Sequence, residues 1–498
     1  MTNPLFDTLF APHMGKHTPF LQLPEGNVIT HDAFLRRAAQ LAHALRGLKV
    51  SAGDRVAVQM GKCPDMLALY AACAQMGAIF LPLNTAYTAT EVTYFVSDSC
   101  AALLVGDPAR EDELCGVADG AGAAFATLSA GGGSLSDAAD ARAETFETVE
   151  RDVNDLAAFL YTSGTTGRSK GAMLTQRNLI SNAVTLTELW QFTSDDVLLH
   201  GLPIFHTHGL FVATNVMLIA GGSMVFMPKL DVDQLVAWMP KATSMMGVPT
   251  FYMRLLDDAR FDRDLTAKMR LFISGSAPLL ADTHVAFEER TGHRILERYG
   301  MTETNMNTSN PYDGERRAGT VGLPLPDVEL RVADADGNEL PRGETGVVEV
   351  RGDNVFAGYW NMPEKTEEEV RENGFFITGD LGVQDAEDYV TIVGRGKDLI
   401  ISGGYNIYPK ELELVLDAQD GVLESAVVGV PHYDLGEVPL AVLVPQAGTE
   451  IDLDAVKAAL GEAVARFKQP REYRIVEALP RNTMGKVQKV ALRTEYGG

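Results

Sequence analysis

The sequence contains few cysteines and no pattern that uses them as metal ligands or as a disulfide scaffold. Cys63, Cys73, Cys100 and Cys115 are the four in the chain, and they include no Cys-x-x-Cys pair and have no histidine cluster nearby. Zinc sites and disulfide-rich domains need closely spaced cysteines. We therefore interpret all four as reduced thiols of a cytoplasmic protein.

Basic residues are also scarce. The chain has 42 lysines and arginines against 67 aspartates and glutamates, which gives a net charge of −25. Such a surface repels nucleic acid and anionic membranes, so neither is expected as a partner. Any anion that the protein binds must be held by a local cluster of donors.

Targeting and membrane segments are not predicted either. Residues 1–16 lack the basic start and apolar core of a signal peptide, and Asp7 disfavours a transit peptide. The uncharged stretch 209–228 is about as long as a membrane span, but Gly221 and Gly222 interrupt it. This pattern predicts a buried helix followed by a buried strand.

The apolar periodicity that is present alternates between helix and strand. The predicted elements are helix 32–48, strand 55–59, helix 64–77 and strand 79–83. Such alternation is typical of a parallel sheet covered by helices. Residues 116–143 are rich in alanine, glycine and serine, and are predicted to form a surface loop or a weak helix.

The pattern of apolar residues changes after residue 321. Two short β runs, 329–332 and 346–351, predict a small β subdomain. The last hundred residues predict a separate α+β module: helix 409–418, strands 422–430 and 438–444, helix 452–465 and strand 473–476. The predicted fold class is therefore α/β, with a large N-terminal domain over 1–396 and a small mobile C-terminal domain over 397–498.

The strongest local signal is the segment Tyr161–Gly171, YTSGTTGRSKG, which follows the apolar strand 157–160. Glycines let backbone N–H groups turn inward, the hydroxyls donate further hydrogen bonds, and Lys170 adds a charge, which together suit a polyphosphate. The loop is not a Walker A motif, because Lys170 precedes its glycine instead of following one.

Further motifs follow this loop in order. They are Pro203–Leu210 (PIFHTHGL), Ser274–Pro278 (SGSAP), Tyr299–Glu303 (YGMTE), Thr378–Asp380 (TGD), Gly394–Asp398 (GRGKD), Gly403–Asn406 (GGYN) and Pro480–Lys486 (PRNTMGK). Together with the loop, they resemble the adenylate-forming superfamily of acyl-CoA synthetases, firefly-type luciferases and peptide-synthetase adenylation domains. Within it, the segment Glu297–Asn310 is similar to that of malonyl-CoA synthetases.

This resemblance implies an ATP site. The residues expected to contact ATP are Thr162, Ser163, Gly164, Thr165, Thr166, Gly167 and Lys170 of the loop, Gly275, Ser276, Ala277 and Pro278 as a wall for adenine, Tyr299, Gly300, Met301 and Thr302, and Asp380, Arg395 and Lys486. Asp380 is expected to accept hydrogen bonds from the ribose hydroxyls, and Thr302 to donate to the α-phosphate. Glu303 and Thr166 are the expected ligands of Mg²⁺, a hard cation that prefers oxygen donors.

The resemblance also implies a two-step reaction. Lys486 neutralises charge as the acyl carboxylate attacks the α-phosphate, so no protein nucleophile is needed, and Lys486, Glu303, Thr302 and His206 form the expected catalytic set. The small domain then rotates about a hinge at Lys397, which brings the CoA-binding loop of Gly403, Gly404 and Tyr405 to the thiol. An acetyltransferase acting on Lys486 would remove its charge.

The acid is indicated by Arg298, since an arginine fork binds a carboxylate in a bidentate way. The alternatives are that Arg298 points outward or pairs with Glu297 or Glu288. His206 and Ser274 are expected to add hydrogen bonds. Met306 is expected to limit the depth of the acyl pocket.

The predicted function is that of a malonyl-CoA synthetase, which joins malonate to CoA with ATP and Mg²⁺ through a malonyl adenylate and also has room for methylmalonate. A CoA ligase for another short acid is an alternative. A standalone amino-acid-adenylating enzyme is a second alternative, although no aspartate lies near Phe205 and His206 to hold an amino group. A non-catalytic scaffold is disfavoured, because four residues that it would be expected to lose are all present: Lys170, Glu303, Asp380 and Lys486.

Overall fold

The computed structural model describes residues 2–162, 169–402, 405–432, 435–464, 466–482 and 485–497. Its N-terminal part contains two large sheets covered by helices, which confirms the predicted α/β class. The helices of this part are Pro4–Leu9, His31–Gly47, Pro64–Met76, Ala89–Asp98, Glu111–Ala121, Ser134–Asp140, Gln176–Leu189, Asn215–Ala220, Val232–Trp238, Pro249–Leu256, Ala281–Thr291 and Pro363–Glu369.

The first sheet is parallel except at one edge. Its strands lie in the order Ala124–Thr127, Leu103–Gly106, Arg55–Gln59, Ile79–Pro82, Leu156–Thr162 and Lys170–Thr175, and the last pair is antiparallel. Thr162 and Lys170 are register partners. The two described flanks of the predicted phosphate loop therefore lie side by side at one end of a hairpin.

The prediction for residues 116–143 is wrong in part. Ala124–Thr127 form a strand parallel to Leu103–Gly106, between the helices Glu111–Ala121 and Ser134–Asp140. Small alanine and glycine side chains leave little periodicity to detect. The pairing is decided by the neighbouring strand, because β-propensity depends strongly on context.

The second sheet carries the acyl-site motifs. Its order is Leu323–Pro324, Asn305–Ser309, Leu296–Met301, Leu271–Ser274, Ser244–Gly247, Val197–His200, Ser223–Phe226, Pro19–Gln22 and Val28–Thr30. The strands from Leu296–Met301 to Pro19–Gln22 are parallel. Because the carboxyl ends of parallel strands share one edge, Ser274 and the start of its motif loop lie beside Glu297 and Arg298.

The uncharged stretch after residue 208 is buried within this part. A π-helical turn, His208–Thr214, continues into the helix Asn215–Ala220 and then the strand Ser223–Phe226, which confirms the predicted buried helix and strand. Across the described ranges, none of the helices combines the length and the apolarity that crossing a membrane requires.

Two smaller sheets complete the described fold. Val328–Ala333, Thr345–Gly352, Phe376–Gln384 and Val390–Arg395 form an antiparallel sheet, which confirms the small β subdomain. The C-terminal sheet contains Tyr405–Ile407, Ile400–Ser402, Gly436–Pro445, Val422–His432 and Glu472–Ile475, and the helices Pro409–Asp417, Leu453–Ala463 and Lys489–Tyr496 pack against it.

A short turn connects these two sheets. Lys397 lies in the 3₁₀ turn Gly396–Asp398, directly after the strand Val390–Arg395. Asp398 forms an ion pair of 2.6 Å with Arg493 of the last helix. The predicted hinge therefore lies where the chain passes from one sheet to the other, and the boundary at 396/397 remains a prediction.

Candidate active site

A cavity of about 650 Å³ lies between the N-terminal part and the C-terminal module. Residues from both parts line it, including Arg298, Tyr299, Asp380, Arg395 and Lys486. Motifs that are nearly two hundred residues apart in sequence thus share one cleft, which we call the main cleft.

Asp380 lines this cleft, and its carboxylate is held from two sides. Its carboxylate accepts a hydrogen bond of 2.5 Å from the Tyr299 hydroxyl and lies 2.6 Å from Nε of Arg395. Arg395 is its register partner on the next strand. Burial and the neighbouring Asp380 raise the pKa of Tyr299 well above its usual value, so the phenol remains a donor.

The segment Ser276–Pro278 follows the strand Leu271–Ser274 and lines the same cleft. Ser276 has a φ of 71°, in the left-handed region that non-glycine residues rarely adopt. Such strain often marks a functional segment. The Ser276 hydroxyl lies 3.1 Å from Nδ1 of His208, which ties this segment to the π-helical turn.

The predicted phosphate and metal groups form a connected network. Nζ of Lys170 lies 3.0 and 3.2 Å from the two carboxylate oxygens of Glu369 and 3.9 Å from the centre of the Tyr359 ring. The Tyr359 hydroxyl lies 2.7 Å from Glu369 and 3.0 Å from Glu303. Thr162 donates to Glu303 at 3.3 Å, and burial raises the pKa of Glu303.

Sequence reasoning missed Tyr359 and Glu369. Glu369 ends a run of charged residues that is typical of a solvated helix, so no sequence signal distinguishes it. Ser163, Gly164, Thr165, Thr166 and Gly167 of the predicted loop lie outside the described residues. Thr302 and Met301 are half-buried where the strand Leu296–Met301 ends.

Arg298 is the most unusual charge in the cleft. Its side chain is 3% exposed, and its Nε and Nη2 atoms have no hydrogen-bond partner among the residues that the structure describes. These two nitrogens form one edge of the planar guanidinium group. Burial lowers the pKa of Arg298 to about 9, so the group is still charged at neutral pH.

The alternative interpretations of Arg298 are wrong. It does not point outward, and the two candidate carboxylates have other partners. Glu297 accepts a hydrogen bond from the Leu279 backbone at 3.3 Å, and Glu288 pairs with Arg294 at 2.8 Å. Neighbouring residues on a strand face opposite sides, which separates the Glu297 and Arg298 side chains.

Other polar atoms near Arg298 also lack partners. The Ser274 hydroxyl is fully buried and unpartnered, and so is Nε2 of His208, within the described part of the chain. Burial, with smaller effects from Arg298 and Lys486, lowers the pKa of His206 to about 4. His206 is therefore neutral at pH 7. Met306, which is expected to limit the depth of the acyl pocket, is buried, with 2% exposure.

His206 and His208 are close in sequence and could begin a metal site, but no third ligand accompanies them in the described part of the chain. In the described ranges, no group of three or more histidine, cysteine, aspartate or glutamate side chains is arranged to hold a metal ion. His208 instead hydrogen-bonds to Ser276.

Lys486 lines the main cleft. Its backbone N–H donates to the Asn482 side chain at 2.9 Å. Desolvation within the cleft, followed by the charge of Arg395, lowers the pKa of the Lys486 ammonium group. Gly403 and Gly404 lie outside the described residues, and Tyr405 begins the strand Tyr405–Ile407.

A second cavity of about 580 Å³ lies beside the acyl motif and includes Phe205 in its lining. The basic residues Lys62, Lys229, Arg254 and Arg481 line it, and no aspartate or glutamate is among its described lining residues. Burial against His200 and the Leu202 carbonyl lowers the pKa of Lys62 well below its usual value, and Arg481 pairs with Glu424. Lys229 and Arg254 therefore supply most of the positive charge at this surface. The four basic residues are distant in sequence, so no motif predicts it.

The fold and the cleft together define an adenylate-forming ligase. The chain belongs to the AMP-binding enzyme family, since the model for the AMP-binding enzyme matches residues 11–360 and the model for the AMP-binding enzyme C-terminal domain matches residues 411–486. Its activity class is that of an AMP-forming acid–thiol ligase.

Individual proteins are similar over nearly the whole chain. The crystal structure of ATP-bound MatB from Rhodopseudomonas palustris has 53% identity and a TM-score of 0.97, covering 100% of this chain and 99% of that one. The TM-score with apo MatB is 0.87. A feruloyl-CoA synthase of an Amycolatopsis species is 34% identical, covering 95% of both chains. The malonate–CoA ligase of Arabidopsis thaliana is also 34% identical, covering 84% of this chain and 74% of that protein.

Proposed function

We propose that this protein is a malonyl-CoA synthetase that converts malonate, ATP and CoA into malonyl-CoA, AMP and diphosphate through a malonyl adenylate. The observation that carries this proposal is the unpartnered Nε–Nη2 edge of buried Arg298. The two N–H groups of such an edge match the two oxygens of a carboxylate. A buried charge without a partner is costly, and the distal carboxylate of malonate supplies that partner.

ATP binds in the main cleft with its adenine beside Ser276–Pro278 and its ribose hydroxyls on Asp380. Lys170 leaves Glu369 and contacts the phosphates. Glu303 suits Mg²⁺, because its buried carboxylate has no ion pair with a described lysine or arginine. Glu303 and Thr166 would hold the ion, which neutralises phosphate charge when bound.

The first step is positioning and electrostatics. Arg298 fixes one carboxylate of malonate, so the other faces the α-phosphate, and Lys486 reduces the charge that develops as the oxygen attacks phosphorus. Neutral His206 hydrogen-bonds without adding charge. Lys486 lines the main cleft, and the TM-score is higher with ATP-bound MatB than with apo MatB, which supports an arrangement similar to the ATP-bound one.

The second step transfers the acyl group to the CoA thiol. Rotation about Lys397 removes Lys486 and brings the loop of Gly403, Gly404 and Tyr405 toward the thiol. The second cavity supports CoA as the acceptor, since Lys229 and Arg254 in its lining suit the phosphates of CoA. Thr250 and Gly485 line both cavities, so a thiol entering there is close to the adenylate.

The relatives do not name the acid by themselves, because a feruloyl-CoA synthase and a malonate–CoA ligase have the same identity to this chain. Arg298 favours the dicarboxylate over the alternatives. A buried arginine repels the α-amino group of an amino acid, and it offers nothing to a neutral acyl tail. Methylmalonate carries the same distal carboxylate and is proposed as a second substrate.

The test is the CoA-dependent release of AMP with malonate, methylmalonate, acetate and butyrate. Arg298→Ala is expected to lose roughly 2–5 kcal/mol of malonate specificity, the range for removing one partner of a desolvated pair, and far less with acetate. Arg298→Lys should rescue poorly, because a point charge cannot replace the fork. Arg294→Ala, four residues away and exposed, is the matched control. An equal loss for all four acids in Arg298→Ala would refute the role in substrate choice.

A further inference from the structure

Gly275, directly after the strand Leu271–Ser274, lies against the Arg298 side chain. A Cβ atom on Gly275 would be 2.4 Å from both Cζ and Nη1 of Arg298 and 2.7 Å from Nε. Three atoms of one planar group lie at nearly the same distance. The flat face of the guanidinium therefore covers the position that a Cβ atom of residue 275 would occupy.

Position 275 requires glycine because there is no room for a side chain, and not because of its backbone conformation. Gly275 is not among the described residues with a left-handed backbone, so an alanine could adopt its conformation. However, Cβ contacts below 3.0 Å essentially never occur. Any side chain at position 275 must therefore displace the guanidinium.

Such a displacement is expected to change the site without unfolding the protein. The contacted atoms are the far end of a flexible side chain and not backbone. The Nε–Nη2 edge, however, depends on where that end rests. A shift of about 1 Å is enough to impair a positioned group.

We propose that Gly275 is a specificity-determining residue. Because it has no Cβ, it leaves room for the guanidinium of Arg298, and in this position the free edge of Arg298 faces the distal carboxylate of a dicarboxylic substrate. Gly275 acts through Arg298 and is a positioning residue. The proposal rests on the proposed function, because it assigns the anion that Arg298 binds. It gives Gly275 a role other than the adenine wall expected from its motif.

The experiment measures kcat/KM for malonate and butyrate in wild type, Gly275→Ala, Arg298→Ala and the double variant. Gly275→Ala is expected to lower kcat/KM for malonate by about tenfold or more, through KM for malonate, with little change for butyrate and for KM of ATP. In the Arg298→Ala background, the same glycine substitution should have no further effect on malonate, since the two residues act as one unit. Gly116→Ala, on an exposed helix position with no atom within 4 Å of its Cβ, is the control.

Two results would overturn the inference: an equal loss for malonate and butyrate, or the same loss of malonate activity with and without Arg298. If Gly275→Ala lowers the melting temperature, the double variant removes the clash and must recover it. The two proposals fail differently. If the wild-type enzyme prefers butyrate, malonate is refuted as the substrate. If the wild-type enzyme prefers malonate and Gly275→Ala has the same preference, only the role of Gly275 is refuted.

Discussion

The two ends of the proposed active site, for nucleotide and for acyl group, treat their charged groups in opposite ways. At the nucleotide end, Lys170 and Asp380 are both paired, with Glu369 and Arg395. At the acyl end, Arg298 and the hydroxyl of Ser274 are buried with donor atoms that no described residue satisfies.

The two ends are therefore expected to bind their ligands in different ways. In binding by exchange, a protein group gives up a protein partner for the ligand; in binding by complementarity, the ligand supplies a partner that the group lacks. A paired group must leave its protein partner to contact a ligand, so its net gain is small. An unpartnered buried charge gains the whole interaction, because its desolvation cost is already present in the folded protein. The acyl end is therefore expected to decide which substrate is used, and the nucleotide end to hold a substrate that is common to the family.

The largest effect is expected where the two ends meet. Lys486→Ala should lower the rate of adenylate formation by on the order of 10²–10³, the usual loss for one preorganised electrostatic group, and should spare thiol transfer from supplied malonyl adenylate. The two half-reactions are measured separately, with Lys457→Ala on the exposed surface as the control. Equal losses in both half-reactions would contradict the assignment. Acylation of the Lys486 amine removes the same charge and should give the same profile.

A substitution at Lys397 tests whether the C-terminal module rotates about this turn while the acyl end stays in place. Lys397→Pro should leave adenylation intact and slow thioester formation, because proline fixes the φ angle that a rotation has to change. Single-turnover adenylation and multiple-turnover synthesis separate these steps. Synthesis at the wild-type rate would mean that the rotation is hinged elsewhere.

Glu369 tests binding by exchange at the nucleotide end. Glu369→Gln should lower KM for ATP by roughly two- to fivefold, the range for a partly exposed ion pair, since Lys170 no longer has to leave a carboxylate. Glu368→Gln, next to it and paired with Lys365, is the matched control. A rise in KM would show instead that Glu369 holds Lys170 in its productive position.

Glu297 provides a test that concerns stability and its pH dependence and not the reaction rate. Burial raises the pKa of Glu297 to about 8 from a usual 4.5, so the folded protein keeps a proton that the unfolded chain loses. Its contribution to stability is therefore full below pH 4.5 and is lost as the pH rises to about 8. Glu297→Gln should remove this slope and raise the melting temperature at pH 9 relative to wild type. The measurement is the melting temperature at pH 6 and pH 9, with exposed Glu289→Gln as the control. An unchanged dependence of stability on pH in Glu297→Gln would contradict the raised pKa of Glu297.

Much of the architecture could be predicted because its signals are local. The strand Arg55–Gln59 and the helix Pro409–Asp417 follow from periodicity and from proline at a helix start. The edge strand Ala124–Thr127 could not, since its pairing depends on a neighbour. Likewise, the motifs indicate an ATP site, whereas the partnership of Lys170 with Glu369 joins elements about two hundred residues apart.

By itself, the sequence determined the fold class, the order of the motifs and the types of donor in the cleft, because these depend on residue identity and local spacing. Only the tertiary structure decided which charges are satisfied. Arg294 and Arg298 are four residues apart and chemically identical, but Arg294 is exposed and paired with Glu288 while Arg298 is buried on Gly275 with a free edge. The reason is that pairing and burial depend on which strands and loops pack against each side chain, and that arrangement exists only in the folded chain.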